Sequence, residues 1–191
     1  MEQTTQPFAG VDVSKDTLDV AWQESTRYCH IKIPNSIAGF KQLLEQCGSD
    51  KHFVMESTGP YYVGLAFYLH AQRVKVSVVN AMVIKRFIQM HLEKNKSDKK
   101  DATWICKYGY NQQPELWQAP QEHIVKARQM QSAILQFTKQ RTSVMNALQS
   151  LEQMPLISKE CRKSYERIIT TLNKEIKQLE SKLDELLRQH E

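Results

Sequence analysis

Up to Asn95 the sequence is a succession of short apolar segments separated by turn residues, and their order leaves few folds open. Phe8-Ala9-Gly10-Val11-Asp12-Val13 reads as a buried strand with one acid set into it, followed by a short Ser14-Lys15-Asp16 turn. Alternation resumes from Thr17 to Trp22 and again from Tyr28 to Ile33, stopping at Pro34-Asn35. Three strands joined by short turns predict an antiparallel meander. Ser36 can cap a helix running to about Cys47, with Ile37, Phe40, Leu43 and Leu44 on one face and Gly48 at its end. Phe53-Val54-Met55-Glu56 is a short apolar strand that closes on a carboxylate. Beyond Ser57-Thr58-Gly59-Pro60 the pattern predicts a helix from Tyr61 to about Ala71, a β-branched strand from Val74 to Val79, and a helix from Ala81 to Leu92. The succession β-β-β-α-β-α-β-α predicts an α/β fold, a mixed sheet with helices on its faces.

After Asn95 the character changes. Ser97 to Tyr110 reads as another helix with Ser97 as its cap, and Pro114 and Pro120 punctuate a short linker. Gln121 to Leu151 holds neither glycine nor proline and places Ile124, Ala127, Ile134, Phe137, Val144, Leu148 and Leu151 at helical spacing. Pro155 interrupts. A second run then carries Tyr165, Ile168, Leu172, Ile176, Leu179, Leu183 and Leu186. Two long amphipathic helices around a proline break predict an antiparallel helical hairpin with a coiled-coil seam. The expected division is 1–115 for the α/β domain and 120–191 for the hairpin. So thin a hairpin cannot bury its apolar stripe alone, and self-association through it is expected.

Composition excludes several classes. The chain's apolar and charged fractions are those of a globular protein. No stretch approaches the roughly 18 uninterrupted apolar residues of a spanning helix, and Met1 to Pro7 lacks the basic and apolar regions of a signal peptide. Cys29, Cys47, Cys106 and Cys161 lie far apart without a C-x-x-C pair, which argues for free thiols in a reducing cytoplasm rather than a zinc or disulfide framework. The six histidines form no ligand pattern, and Trp22, Trp104 and Trp117 read as core or linker anchors. A formal charge of +5 favours an anionic partner such as nucleic acid, without identifying one.

The chemistry rests on four carboxylates. Asp12 stands in an apolar strand, where an unpaired acid costs several kcal/mol unless a metal or a cation compensates it. A solvent-facing strand position, or a pair with Lys15, is the plainer and less favoured account. Glu56 ends a strand at the side where ligands gather in crossover folds, yet an acid there also suits the next helix dipole. Asp98 and Asp101 lie three apart in Lys96-Ser97-Asp98-Lys99-Lys100-Asp101-Ala102, so a helix would present both on one face. Alone, that run also reads as a solvated helix start. Together the four offer the all-oxygen donor set that Mg²⁺ or Mn²⁺ prefers. Two such ions about 4 Å apart can hold both the attacking and the leaving oxygen of a phosphodiester. Lys15, Lys85, Arg86, Lys96, Lys99 and Lys100 are the cations placed to meet a nucleic-acid backbone, with a solvated charged face as the plainer reading.

Gly10-Val11-Asp12-Val13-Ser14-Lys15, Met55-Glu56-Ser57-Thr58-Gly59 and Lys96-Ser97-Asp98-Lys99-Lys100-Asp101-Ala102 together resemble the DEDD transposases of bacterial insertion sequences. That family includes the pilin-gene invertase and the bridge-RNA-guided recombinases. The likeness covers roughly residues 7 to 110. It implies a ribonuclease H-like, RuvC-type fold with Asp12, Glu56, Asp98 and Asp101 as catalytic, metal-binding acids, DNA as substrate, and a guide (bridge) RNA among the family's partners. It also implies that the hairpin is the arm that assembles the recombinase multimer. The family's second domain, with its serine nucleophile, has no counterpart here, so an N-terminal fragment is expected. Ser57 has no recognisable base and is given no such role.

Three other readings compete. A stand-alone RuvC-like junction nuclease would use the same acids. An actin-like ATPase or sugar kinase would want a glycine-bearing phosphate loop after Asp12, where this chain has Val13-Ser14-Lys15. A coiled-coil adaptor with an inert head would explain the hairpin and leave the acids without a role.

Overall fold

A computed structural model describes residues 7–57, 59–91 and 98–190, with only the backbone of Asp98 and Lys99. The chain divides into two compact units, Met1–Ala119 and Pro120–Glu191.

The first unit begins with the meander: β1 (Phe8–Val13), β2 (Thr17–Glu24) and β3 (Arg27–Pro34). Next come α1 (Ile37–Cys47), β4 (His52–Glu56), α2 (Val63–Ala71), β5 (Val76–Val79), α3 (Ala81–Met90) and α4 (Asp98–Gln112). The strands form one five-stranded sheet in the order β3-β2-β1-β4-β5. β2 runs antiparallel to both β1 and β3, whereas β4 is parallel to β1 and β5. Order and direction are those of a ribonuclease H-like sheet of the RuvC type, flanked by helices as the sequence predicts.

Each face of the sheet carries its own core. On one, Val11, Leu18, Ile33, Phe53 and Met55 join Phe40, Leu43, Leu65 and Leu69 of α1 and α2. On the other, Phe8, Val54 and Val79 meet Ile84 of α3 and Ile105 and Cys106 of α4. The two faces follow from the two-residue period of a strand: Val54 goes one way, Phe53 and Met55 the other.

Several boundaries and faces depart from expectation. α2 starts at Val63 rather than Tyr61, because Gly59 to Tyr62 turn before the helix begins. β5 starts at Val76 rather than Val74, whose amide is spent on the Leu69 carbonyl at the end of α2. α4 runs on to Gln112, and Gln113 at φ 44° turns the chain out of the helix. Ile37, assigned to the buried face of α1, is 59% exposed at its first turn. Ser97, the expected cap of α4, and Leu92 lie outside the described residues.

The outer edge of β5 is covered by the chain that leaves α4. The Trp117 amide donates to the Val76 carbonyl at 2.7 Å, and its indole meets the Phe67 ring edge-on. An open sheet edge would otherwise be a template for another chain. Ser77, fully buried on β5, lies 2.8 Å from His52 Nε2, 2.5 Å from the Glu115 carbonyl and 3.1 Å from the Pro114 carbonyl. Carbonyls only accept, so the Ser77 proton goes to them and His52 donates from Nε2. Burial, with Lys75 adding to it, pushes the His52 pKa down to about 4, so the ring is neutral around neutral pH.

The second unit holds α5 (Glu122–Glu152) and α6 (Lys159–Arg188). The two pack on each other along their length, as a hairpin should. In α6 the inward positions are Tyr165, Ile169, Leu172, Ile176, Leu179, Leu183 and Leu186, a regular alternation of four and three. Ile169 therefore takes the seam position expected of Ile168, which is 45% exposed. Seven-residue spacing from Leu172 back to Tyr165 requires a member at 169, and Ile168 falls about 100° round the helix. Arg141 reaches across to Asn173 Oδ1 at 3.1 Å. All four cysteines are free, and no helix among the described residues is long and apolar enough to cross a membrane.

Candidate carboxylate site

The site is set by how closely α4 approaches β1. A β-carbon on Gly10 would lie 2.2 Å from both the Ala102 carbonyl oxygen and the Cys106 nitrogen, so only glycine admits the helix there. One on Gly109 would lie 2.6 Å from the Phe8 ring. Gly109 thus sits over Phe8, and the Ala102–Cys106 turn over Gly10. The helix runs antiparallel to the strand, with its first turn toward the Asp12 end. Cys106 completes the contact, its thiol 3.3 Å from the Phe8 carbonyl. Burial pushes that thiol up to about 12, so it stays protonated and unreactive.

Strand alternation then places the acids. Asp12, two residues beyond Gly10, is on the α4 face of β1. Glu56, two beyond Val54, is on the same face of β4. The parallel register pairs Val11 with Met55, and one further step brings Asp12 beside Glu56 on adjacent strands. Both are half-buried. Asp101, half-buried in the first turn of α4, belongs to the helix end that lies toward them. Asp98 begins that helix, and its side chain lies outside the described residues. Asp12, Glu56 and Asp101 are each engaged with neighbouring groups. Among the described residues no three His, Cys, Asp or Glu side chains come together as a metal-holding group. The candidate acids offer only carboxylate oxygens, from two adjacent strands and one helix.

The structure adds a carboxylate that sequence reasoning missed. Asp19 on β2 is the cross-strand partner of Asp12, and Lys32 on β3 is the partner of Asp19. Directly opposed residues share a face, so the three form a row across the sheet. Asp19 is only 8% exposed and forms a 2.9 Å ion pair with Lys32. The Leu18-Asp19-Val20 alternation could have revealed it, since it sets an acid at the same level of the next strand.

The turn beside the site is tied down. Ser14 Oγ donates to the Thr17 carbonyl at 2.7 Å and accepts the Thr17 amide at 3.1 Å. Asn35 Nδ2 donates to the Ser14 carbonyl at 2.8 Å and to the Tyr61 carbonyl at 3.1 Å, joining the β1–β2 turn to the segment that follows β4. Of the expected nucleic-acid cations, Lys15, Lys85, Arg86 and Lys100 are exposed. Lys96 and the Lys99 side chain lie outside the described residues. Lys107 is half-buried, its ammonium 4.1 Å from the Trp104 ring centre.

A family model for transposases of the DEDD type, IS110 group, matches residues 9–154. The chain belongs to this family. Similar curated proteins include the pilin gene-inverting proteins of Moraxella bovis and Moraxella lacunata, each 27% identical over 148 residues. The match covers 72% of this chain and 46% of each relative, so the chain spans about half the length of the curated relatives it matches. The matched residues include Asp12, Glu56, Asp98 and Asp101.

Proposed function

We propose that this chain is the catalytic head and arm of a DNA transposase or site-specific recombinase, with Asp12, Glu56, Asp98 and Asp101 holding Mg²⁺ or Mn²⁺. The observation that supports the reading is that Asp12 and Glu56 stand side by side on adjacent parallel strands of a ribonuclease H-like sheet, on the face across which α4 packs with its first turn toward them. Family membership and the likeness to proteins that invert a gene support DNA as the substrate. Divalent ions held there would polarise a phosphodiester and stabilise its attacking and leaving oxygens.

The chain's own residues would supply the rest. The N-terminal end of α4 adds a favourable dipole for phosphate beside the acids. Gly10 and Gly109 fix the helix against β1, which decides where Asp98 and Asp101 stand. The Lys32 ion pair keeps Asp19 compensated, so its charge does not oppose Asp12 in full. Lys15, Lys85, Arg86, Lys96, Lys99 and Lys100 would meet the nucleic-acid backbone. The 1–115 region would form the catalytic domain, and the 120–191 hairpin would join copies into the active multimer. Guide-RNA binding would belong to the assembled recombinase, and the serine that completes strand exchange to the family's second domain.

Calorimetric titration of Mg²⁺ and Mn²⁺ into the chain, beside an Asp12→Asn, Asp98→Asn double variant, tests this. Saturable binding that the variant loses is expected. Equal binding by both proteins, or none by either even with branched DNA added, would overturn the assignment.

A further inference from the structure

We propose that the groove between α3 and α4 receives an unpaired stretch of DNA strand, with bases on its apolar floor and phosphates along α3. The proposal rests on the nucleic-acid reading above and adds a second contact surface on the helix that carries Asp98 and Asp101. The groove encloses about 660 Å³ and is lined by Arg86, Phe87, Met90, His91, Tyr108 and Asn111, among others.

The surface is apolar where a soluble helix should be polar. Met82, Val83 and Met90 are 53%, 44% and 80% exposed, beside the exposed Lys85 and Arg86. Its floor is aromatic: the Phe87 ring meets Tyr108 edge-on at 5.2 Å and His91 at 4.7 Å, and His91 meets Trp104 at 4.9 Å. His91 Nδ1 lies 2.8 Å from the Phe87 carbonyl, which can only accept, so in the neutral ring Nε2 is left as an acceptor.

Charge selects the occupant. Arg86 lines the groove and Lys85 stands exposed beside it on α3, while no aspartate or glutamate is among the described residues that line it. An apolar protein segment would need no such bias, whereas a polyanion with flat apolar faces requires both features together. Single strands meet both demands, stacking bases on aromatic and apolar side chains while cations follow the phosphates. The bases of a duplex are stacked on one another and cannot enter the groove.

Fluorescence anisotropy with labelled oligothymidylate of about twenty nucleotides, in EDTA so that no divalent ion takes part, provides the test. The unsubstituted chain should bind the single strand more tightly than a duplex of equal length. Met90→Glu and a Lys85→Ala, Arg86→Ala double variant should each weaken it roughly tenfold or more, without lowering the melting temperature. The double variant should also lessen the salt dependence, by about one to two in the slope of log K against log salt. No single-strand binding, or binding that neither variant changes, would overturn the groove assignment. Variants that alter self-association without oligonucleotide binding would make this face an interface between copies, which also overturns it. The carboxylate reading is tested separately, since its metal titration uses no DNA in the first instance.

Discussion

Gly10 on β1 and Ala102 on α4 approach so closely that a methyl group on the glycine would lie 2.2 Å from the alanine carbonyl oxygen. This contact is backbone against backbone, so neither rotamer change nor side-chain motion relieves it. Gly10→Ala should therefore push α4 off the strand and cost about 3 kcal/mol or more, while Gly109→Ala, opposed by the Phe8 and Val54 side chains rather than by backbone, should cost less. Urea denaturation of both variants checks the order. Metal affinity should fall in step for Gly10→Ala, because the helix carries two of the proposed ligands.

Asp19 is nearly buried and compensated by Lys32, whose own side chain is half exposed. Lys32→Met should remove the cation and leave the carboxylate. Solvent around the lysine end limits the effect, so a loss of about 1 kcal/mol is expected. Asp19→Asn in the Lys32→Met background should recover part of it, measured as a double-mutant cycle in denaturant.

His52 gives the head a defined acid sensitivity. Its folded pKa is depressed to about 4 from an ordinary 6.5, so the unfolded chain binds more protons between those values. The stabilisation is present in full above about pH 6.5 and is lost as pH falls through about 4. The melting temperature should drop by several degrees over that window. His52→Gln, which can still donate to Ser77, should flatten the dependence. An equal slope in the variant would assign the acid sensitivity to other groups.

In the arm, Ile176 is 5% exposed and Ile168 is 45% exposed. Ile176→Ala should cost about 2–4 kcal/mol, and Ile168→Ala well under 1. Thermal unfolding followed by circular dichroism would show it. A reversed order would mean that the seam runs through Ile168.

The element order, the meander, the proline break between the long helices and the four acids are all legible in the sequence. They depend on local period and on residue types that short segments display: alternation for strands, three-and-four spacing for helices, glycine and proline at the breaks. Boundaries were less legible. β5 loses Val74 because that amide is bonded to the end of α2, a partner chosen by packing. Ile37 is exposed because it stands in the first turn of α1, a matter of where the helix lies on the sheet.

The site divides the same way. Sequence alone determined that Asp12 sits in an apolar strand, that Glu56 ends another, and that Asp98 and Asp101 share a helix start. Only the tertiary structure decided that β1 and β4 are parallel neighbours in a register that sets Asp12 beside Glu56. It also decided that α4 crosses β1 at Gly10 with its first turn toward them, and that Asp19 joins Asp12 on that face. Period and residue type are local properties of a chain. Strand register and helix approach are fixed by contacts between segments dozens of residues apart, and no short stretch of sequence carries them.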